Sequence, residues 1–463
     1  MKPLKLPKPA VGASFDGVDP LDGRYYDAQT AQYLSERSRV AYQAYVEGAL
    51  AQTLAEFKIC SKAVADQIEQ AAAKVTIEEA YAEELITNHD IKALVNCIKR
   101  QINPAAQPYV HFGATSYDII ATATALQLRT AINELVIPCL VDLEKTLLSL
   151  TKQYAHTTQI GRTHGQHAVP VTFGFALAAY VSRLGENIEA LKDLAAGLRG
   201  KFSGAVGAYN ALSVFVDDPI KFEKSVLAKL KLKPAPYSSQ IVSPEGIVRL
   251  IDELAITAGI MANLSHDMRH LQRSEIAEVR EHFDKTQTGS STMAHKRNPK
   301  NFENVISLSK QVTAQIINAN LNLSSEHQRD LTDSASARFY GVTLATVVSM
   351  AKRLNSVMAK IEVDADNMQR NLYLSGGSIA AEPLYLLLEK YGHTQAHEAA
   401  KTVSQQAKDN LYEAIKDDKK LQPYVAKFTK EEIRLLRNPE EHYTGLAAKK
   451  ALMIHKSWQT KFK

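Results

Sequence analysis

The length, composition and charge of this chain exclude several classes of protein. Its 463 residues are 45% hydrophobic and 23% charged, which is the composition of a globular protein and not of a disordered one. The net charge of +5 is small for this length, so it gives no general support for nucleic-acid binding. The three cysteines are scattered and form no CxxC or Cys/His cluster, which favours reduced thiols over a metal or redox site.

No segment has the pattern of a membrane span or a targeting signal. The longest stretch without charged residues, 163–182, contains two histidines, a glutamine and a proline, so it is not a transmembrane helix. The N-terminal residues carry lysines and prolines but no apolar core of a signal peptide. We therefore expect a cytoplasmic protein that binds neither membranes nor nucleic acid.

Apolar residues recur at helical spacing in three long segments, residues 132–150, 248–271 and 344–361. Such stripes predict long helices that pack side by side in a bundle. Glycine and proline are fewer than average, which also favours long helices, and Pro138 predicts a kink in the first of them. Strands with alternating polarity are nearly absent, apart from short extended pieces near residues 204–210.

The predicted elements divide the chain into three parts. Residues 1–119 form an N-terminal helical domain with short polar connections, and residues 120–365 form a central domain of long helices. Residues 366–463 form a C-terminal domain of shorter amphipathic helices, beginning where the last long stripe ends. The predicted fold class is all-α.

Short polar segments precede two of the predicted helices. Asn88, His89 and Asp90 stand before one helix, and Thr115 and Ser116 stand before the next. Helix capping alone explains both groups, but a helix N-terminus also presents free N–H groups to an anion. The composition of these segments leaves both interpretations open.

Two further polar segments are candidates for chemistry. Residues 283–299 contain paired serines, a lysine, an arginine and an asparagine, and they exceed the usual length of a loop inside a domain. A solvated linker and a functional loop are both compatible with that composition. His164 lies among Gly, Thr and Arg without an apolar stripe to bury it, which makes it a candidate general acid or base.

Several common motifs are absent from the sequence. There is no GxGxxG, GxxxxGK[ST], HExxH or GxSxG pattern. The sequence therefore offers no dinucleotide-binding turn, P-loop, zinc-protease helix or nucleophile elbow.

The long polar run has a recognisable pattern. Gly289-Ser-Ser-Thr-Met-Ala-His-Lys-Arg-Asn-Pro299, followed by Glu303, resembles the GSSxMPxKxNPxxxE signature of the fumarase/aspartase superfamily. Residues 113–118 and 162–166 resemble two further motifs of this superfamily in the same order, so the resemblance spans essentially the whole chain. It implies a three-domain, all-α fold with a central bundle of long helices, and a β-elimination that releases fumarate in most members. Ala294 replaces the signature proline, which leaves the backbone of this loop less restricted.

Four segments are similar to the branch of the superfamily that acts on succinylated purine nucleotides: residues 22–25, 87–90, 203–207 and 329–338. The last segment contains Arg329, Ser334 and Arg338, and two arginines with a hydroxyl group can bind a phosphate. The resemblance therefore implies a small-molecule nucleotide substrate, in the form of a succinylated purine nucleotide and its succinylated aminoimidazole precursor.

The resemblance implies a role for each matched residue. Ser290 would be the general base and His164 the general acid, while Lys296 would stabilise the aci-carboxylate dianion that forms when the proton leaves carbon. The residues that the resemblance assigns to substrate binding are Arg24, Tyr25, Asn88, His89, Asp90, Thr115, Ser116, Gln240, Ser291, Lys296, Asn298, Arg329, Ser334 and Arg338. It implies no cofactor and no metal. It also implies a homotetramer whose active sites are shared between subunits.

Two other interpretations remain open at this point. The chain could be another member of the superfamily, such as a lyase for argininosuccinate or a carboxymuconate cycloisomerase, for which residues 329–338 would have no phosphate to bind. It could also be a non-catalytic helical scaffold, like the lens crystallins that are related to these lyases. The presence of Ser290, His164 and Lys296 argues against a scaffold.

Overall fold

The structure is a computed structural model that describes residues 1–9, 12, 16–284, 292–293, 295–407 and 411–462. The chain forms two compact units. The first contains Met1–Leu140, Asn187–Gly259 and Ser307–Lys352, and the second contains Val141–Glu186, Ile260–Ile306 and Arg353–Lys463. The division into residues 1–119, 120–365 and 366–463 stays a prediction.

Helices account for most of the described chain. They are α1 (Ala28–Leu34), α2 (Glu36–Glu56), α3 (Lys62–Ala72), α4 (Ile77–Thr87), α5 (Asp90–Arg100), α6 (Ser116–Ala131), α7 (Ile137–Gln153), α8 (Phe173–Gly197), α9 (Pro219–Lys229), α10 (Glu245–Leu271), α11 (Lys300–Leu321), α12 (Tyr340–Met358), α13 (Ala365–Tyr373), α14 (Ala381–Lys390), α15 (Ala396–Gln406), α16 (Leu411–Ile415), α17 (Gln422–Val425), α18 (Lys430–Arg437), α19 (Pro439–His442) and α20 (Ala447–Gln459). Among the described residues, no helix is long and apolar enough to cross a membrane.

Within the described residues, the strands form three small sheets of two strands each. They are β1 (Thr158–Thr163) with β2 (Gln166–Thr172), β3 (Arg199–Gly200) with β4 (Lys233–Pro234), and β5 (Val279–Arg280) with β6 (Glu362–Val363). The first and third pairs are antiparallel and the second is parallel. The extended pieces predicted near residues 204–210 are turns and bends instead, because Gly204, Gly207 and Tyr209 take positive φ angles that a strand does not allow.

The predicted apolar stripes are buried faces of long helices. On α10, the residues Ile251, Leu254 and Ala258 are fully buried, and so are Leu344 and Leu354 on α12. Burial of each large apolar side chain contributes about 1.5–3 kcal/mol to folding. The all-α fold class predicted from these stripes is confirmed.

The helix interruption predicted at Pro138 is present. A π-helical turn, Ile132–Val136, separates α6 from α7 directly before this proline. Proline has no N–H group, so the carbonyl of Glu134 receives no helical hydrogen bond from it, and a π-helical turn accommodates that loss.

The single tryptophan of the chain fixes the C-terminal helix within the second unit. Trp458 of α20 lies against Gly185 of α8, where a Cβ atom would stand 2.6 Å from the indole ring. A larger residue at this glycine would therefore displace the ring. Helices α14 to α18 enclose a separate apolar core, which includes Leu384, Leu388 and Leu411.

Glu144 of α7 is a buried carboxyl group without a partner. Its side chain is fully buried, and neither of its oxygens has a hydrogen-bond partner among the described residues. Burial raises the pKa of Glu144 from 4.5 to about 9, because the apolar surroundings disfavour the charged form. The carboxyl group is therefore neutral in the folded protein at pH 7.

We predict that Glu144→Gln changes the pH dependence of stability. In the unfolded chain this carboxyl ionises above pH 4.5, whereas in the folded protein it stays neutral up to about pH 9. Its contribution to stability is complete below pH 4.5 and is lost as the pH rises towards 9. A glutamine side chain does not titrate. The free energy of unfolding of the variant, relative to that of the wild type, should therefore rise by about 3 kcal/mol between pH 4.5 and pH 7.

Urea unfolding at a series of pH values measures this difference. Asp142→Asn is the matched control, because Asp142 is exposed on the same helix. A free-energy difference between Glu144→Gln and the wild type that did not change with pH would contradict the prediction.

Candidate active site

His164 lies at the tip of a β-hairpin. Strands β1 and β2 pair antiparallel up to Thr163 and Gln166, which leaves His164 and Gly165 as a two-residue turn. Both turn residues have positive φ angles, 54° and 75°, as in a type I′ turn. The hairpin thus presents the imidazole to solvent. Sequence analysis expected extended pieces only near residues 204–210, so it missed this hairpin.

A buried carboxylate holds the base of this hairpin. Glu278 is fully buried and accepts hydrogen bonds from two nitrogens of Arg162, at 2.5 and 3.2 Å. It also accepts from the side-chain amides of Gln159 and Asn371, both at 2.7 Å. Since Asn371 belongs to α13, the carboxylate fixes the hairpin to that helix. Sequence analysis assigned no role to Glu278 or Asn371, and no local pattern marks them.

A second contact orients the far strand of the hairpin. Nδ1 of His167 on β2 lies 2.6 Å from Oγ of Ser375, which precedes the 3-10 helix Gly376–Ala380. Burial and the nearby charge of Arg162 lower the pKa of His167, so this ring favours its neutral form. Together with Glu278, the pair leaves the hairpin little freedom to tilt.

Part of the signature segment lies in the second unit just before α11. Lys296 is exposed and Asn298 is half-buried. Ser290, Ser291 and Ala294 lie outside the described residues.

The carboxylate of Glu281 fixes the start of α11. It accepts the backbone N–H groups of Asn301 and Phe302, at 2.8 and 3.0 Å, and the side-chain amide of Asn301 at 2.7 Å. A carboxylate at a helix N-terminus satisfies free N–H groups and complements the helix dipole. The backbone that follows Lys296 and Asn298 is therefore anchored.

In the first unit, two helix N-termini meet. His89 caps α5, because its Nδ1 accepts the N–H of Lys92 at 3.3 Å, and its Nε2 lies 3.4 Å from Oγ of Ser116. Thr115 is the cap of α6 and Ser116 its first residue, as predicted. The structure places His89, and not Asn88 or Asp90, at the cap of α5, because Asn88 ends α4 in a left-handed conformation with φ 51°.

A cavity of about 980 Å³ opens beside these N-termini in the first unit. That volume suits a ligand of nucleotide size. Six of the predicted site residues line it: Asn88, His89, Asp90, Ser116, Ser334 and Arg338. Arg39, Arg199 and Arg249 also line it, although sequence analysis did not single them out. Its lining also includes five carboxylates, those of Glu36, Glu84, Asp90, Glu245 and Asp333, so the cavity combines hydroxyl and imidazole groups with charges of both signs.

Arg329 has a buried guanidinium group with spare donors. Its side chain is 6% exposed and stacks on the ring of Tyr117 at 4.2 Å. Nη2 donates to the Tyr117 hydroxyl, and Nη1 forms an ion pair with Oδ1 of Asp333 at 2.7 Å. Nε has no acceptor among the described residues, and Nη1 has no hydrogen bond there besides this ion pair. Buried donors without acceptors are rare, and a ligand can supply what is missing.

The other described site residues of the first unit do not line the cavity. Arg24 is exposed in a turn and Tyr25 is half-buried beside it. The backbone N–H of Gln240 donates to the carbonyl of Gln328 at 3.2 Å. Gln240 therefore lies beside the residue that precedes Arg329. Thr115 precedes Ser116 in the chain and caps α6.

Comparison with known proteins identifies the family of this chain. Residues 19–314 match the family model described as Lyase, and residues 325–438 match the one described as Adenylosuccinate lyase C-terminal. The chain is 36% identical over 439 residues to adenylosuccinate lyase of Pyrococcus horikoshii, which covers 93% of this chain and 95% of that protein. The chain belongs to the adenylosuccinate lyase family.

Two other comparisons place the chain in the wider superfamily. It is 31% identical over 458 residues to N-acetyl-S-(2-succino)cysteine lyase of Enterococcus italicus, which covers 95% of this chain and 96% of that protein. The structure of 3-carboxy-cis,cis-muconate lactonizing enzyme from Pseudomonas putida superposes with a TM-score of 0.83 at 28% identity, over 96% of this chain and 100% of that one. This similarity confirms the predicted fumarase/aspartase-like fold, which the adenylosuccinate lyase family shares with its relatives.

We predict that Glu278→Gln destabilises the protein by about 3 kcal/mol. The substitution keeps the size of the side chain but leaves the guanidinium of Arg162, which is 17% exposed, without a counter-charge. Urea unfolding measures the loss.

Glu275→Gln is the matched control, because Glu275 is exposed three residues earlier. If both variants unfolded at the same urea concentration as the wild type, Glu278 would not hold the hairpin.

Proposed function

We propose that the protein cleaves adenylosuccinate to AMP and fumarate. The observation that carries this proposal is the buried guanidinium of Arg329, whose Nε has no acceptor within the described chain and whose Nη1 has only the ion pair with Asp333. A phosphate group offers oxygen acceptors in the geometry that an arginine prefers. Ser334 and Arg338 follow within ten residues and line the neighbouring cavity, which supports a nucleotide substrate.

The proposed reaction is an elimination with one base and one acid. Ser290 removes a proton from the carbon next to a succinyl carboxylate, the electron pair forms the double bond of fumarate, and the C–N bond breaks. His164 gives a proton to the departing nitrogen, so that the purine amine leaves neutral. His164 is exposed on a hairpin whose base is held by the contact between Arg162 and Glu278, and this position supports the role. The role of Ser290 rests on resemblance alone.

Charge develops on the succinyl carboxylate during this reaction. The ammonium of Lys296 is exposed and free to approach that charge, and Asn298 supplies an amide donor. We assign the second carboxylate to Ser116 and His89, whose Oγ and Nε2 lie 3.4 Å apart at the cavity wall. Fixed donors of this kind stabilise a transition state without having to reorganise.

We extend the proposal to the succinylated aminoimidazole carboxamide ribotide, which carries the same succinyl and phosphate groups. We also propose that the protein acts in the cytoplasm as a homotetramer with active sites shared between subunits. Exposed apolar side chains on two helices support an assembly, namely Ile256 on α10 and Ile317 and Leu321 on α11. Contiguous exposed apolar surface is often covered by a partner.

An absorbance assay tests the proposed function. When the purified protein is added to adenylosuccinate, the ultraviolet absorbance of the solution should change to that of AMP. Fumarate should form in an amount equal to the AMP. If folded protein changed the absorbance of neither succinylated nucleotide, the proposal would fail.

We predict that His164→Gln lowers kcat for adenylosuccinate by about 10²- to 10⁴-fold, with little change in KM, because the departing nitrogen loses its acid. Steady-state kinetics measure both constants. His156→Gln is the control, since His156 is an exposed histidine on the same unit. A wild-type kcat in His164→Gln would contradict the assigned role.

A second candidate function is cleavage of the C–S bond in a succinylated cysteine. The relative from Enterococcus italicus, whose name describes such a substrate, favours it. That substrate has the succinyl group but no phosphate. The two candidates therefore differ in their need for Ser334 and Arg338.

Arg338→Leu distinguishes the candidates. We predict that it raises KM for adenylosuccinate by about 10- to 100-fold, the loss of one charge-assisted contact to phosphate. Arg434→Leu, an exposed arginine on α18, should leave KM unchanged. If Arg338→Leu also left KM unchanged and the wild type preferred N-acetyl-S-(2-succino)cysteine, the second function would replace the first.

A further inference from the structure

Lys201 and Asp118 form a buried ion pair in the first unit, and neither has a role in the proposed reaction. Lys201 is fully buried and Asp118 is 1% exposed. The ammonium group donates to Oδ1 of Asp118. Removing two charges from water offsets most of their attraction, so such a pair is weak evidence for stability alone. The groups that the pair contacts indicate what else it does.

The carboxylate of Asp118 joins two stretches of chain. Oδ2 accepts the backbone N–H of Thr115 at 2.9 Å and so completes the cap of α6. Oδ1 accepts the backbone N–H of Gly204 at 3.2 Å, and the ammonium of Lys201 donates to the carbonyl of Gly204 at 3.1 Å. The ion pair thus fastens the N-terminus of α6 to Gly204 through both backbone groups of that glycine.

Residues 203–207 also contact the stretch of chain that leads to Gln240. Oγ of Ser203 lies 2.7 Å from Oγ of Ser238. Gly207 has φ 83°, and a Cβ atom there would stand 1.9 Å from the carbonyl oxygen of Ser238. Only glycine permits this approach. Residues 203–207 therefore contact both α6, through Asp118, and the stretch that carries Gln240.

The backbone around Lys201 does not depend on its ammonium group. Oγ1 of Thr122 accepts the N–H of Lys201 at 3.1 Å and donates to its carbonyl at 2.9 Å. The carboxylate of Glu223 accepts the N–H of Phe202 at 2.7 Å. These bonds hold the strand end without any charge on Lys201. Among the described residues, the ammonium therefore donates hydrogen bonds to Asp118 and Gly204.

We propose that Lys201 and Asp118 are positioning residues for the elimination. They hold Thr115 and Ser116 in a fixed relation to Gln240 through residues 203–207, so that these residues, which the resemblance assigns to substrate binding, are in place before substrate arrives. This inference rests on the proposed function of the site. It gives a role to the segment 203–207, which resemblance marked but to which it assigned no chemistry.

The test replaces the ion pair with apolar side chains of similar length. The double variant Lys201→Met/Asp118→Leu removes both charges of the pair, so it is expected to fold, whereas a single apolar substitution leaves the other charge without a polar partner. We expect kcat of the double variant for adenylosuccinate to fall by about 10- to 100-fold, with KM changed less than threefold, because small displacements of contact groups slow the reaction. Lys352→Met/Asp27→Asn is the control, because it removes another ion pair of the first unit, at 2.8 Å.

A second variant keeps the test independent of how well the double variant folds. Asp118→Asn preserves size and one acceptor oxygen, and we expect its kcat to fall by about 3- to 10-fold. A wild-type kcat in either folded variant, or an equal fall in the control, would overturn the proposal.

Hydrogen exchange provides a readout that needs no lyase activity. The amides of Thr115 and Gly204 should exchange at least tenfold faster in the double variant, while the amide of Phe202, held by Glu223, should not change. Wild-type exchange at both amides would overturn the positioning role. A wild-type enzyme that cleaves no succinylated substrate would refute the proposed function, with the exchange result unaffected.

Discussion

Buried carboxylates hold the segments that carry the candidate site residues. Asp118 binds Thr115 and Gly204, and Glu278 binds three side chains around the hairpin of His164. A polar segment cannot hold its shape by apolar burial, and a carboxylate can accept several hydrogen bonds at once in a site of low dielectric. The positions of the site side chains therefore depend on charged groups that themselves touch no substrate.

This arrangement explains how a bundle of helices supports polar segments at its helix ends. The long helices supply apolar burial, but each of them ends with unsatisfied N–H or C=O groups. At α5, α6 and α11, His89, Asp118 and Glu281 satisfy the first N–H groups. The same side chains bring neighbouring segments to these N-termini. The same hydrogen bonds therefore cap the helices and position the segments that carry the site residues.

The sequence predicted what depends on local pattern. Apolar residues at helical spacing predicted the long helices, and small polar residues before them predicted the cap of α6. The hairpin was missed because its turn is His164-Gly165 and not one of the common Asn-Gly or Asp-Gly pairs. Pro170 inside β2 also argued against a strand, since proline is rare there.

The buried ion pairs could not have been predicted in the same way. Asp118 and Lys201 are 83 residues apart, and Arg162 and Glu278 are 116 residues apart. No periodicity connects such partners, and only the packed fold brings them together. The orphaned donors of Arg329 are a similar case, because the sequence suggested a phosphate contact but not a guanidinium buried on Tyr117.

A crystal structure of the His164→Gln variant with adenylosuccinate tests the account most directly. The account predicts the phosphate within hydrogen-bond distance of Nε or Nη1 of Arg329, with further contacts to Ser334 and Arg338. A bound nucleotide whose phosphate lay elsewhere, with Arg329 contacting only Tyr117 and Asp333, would contradict it.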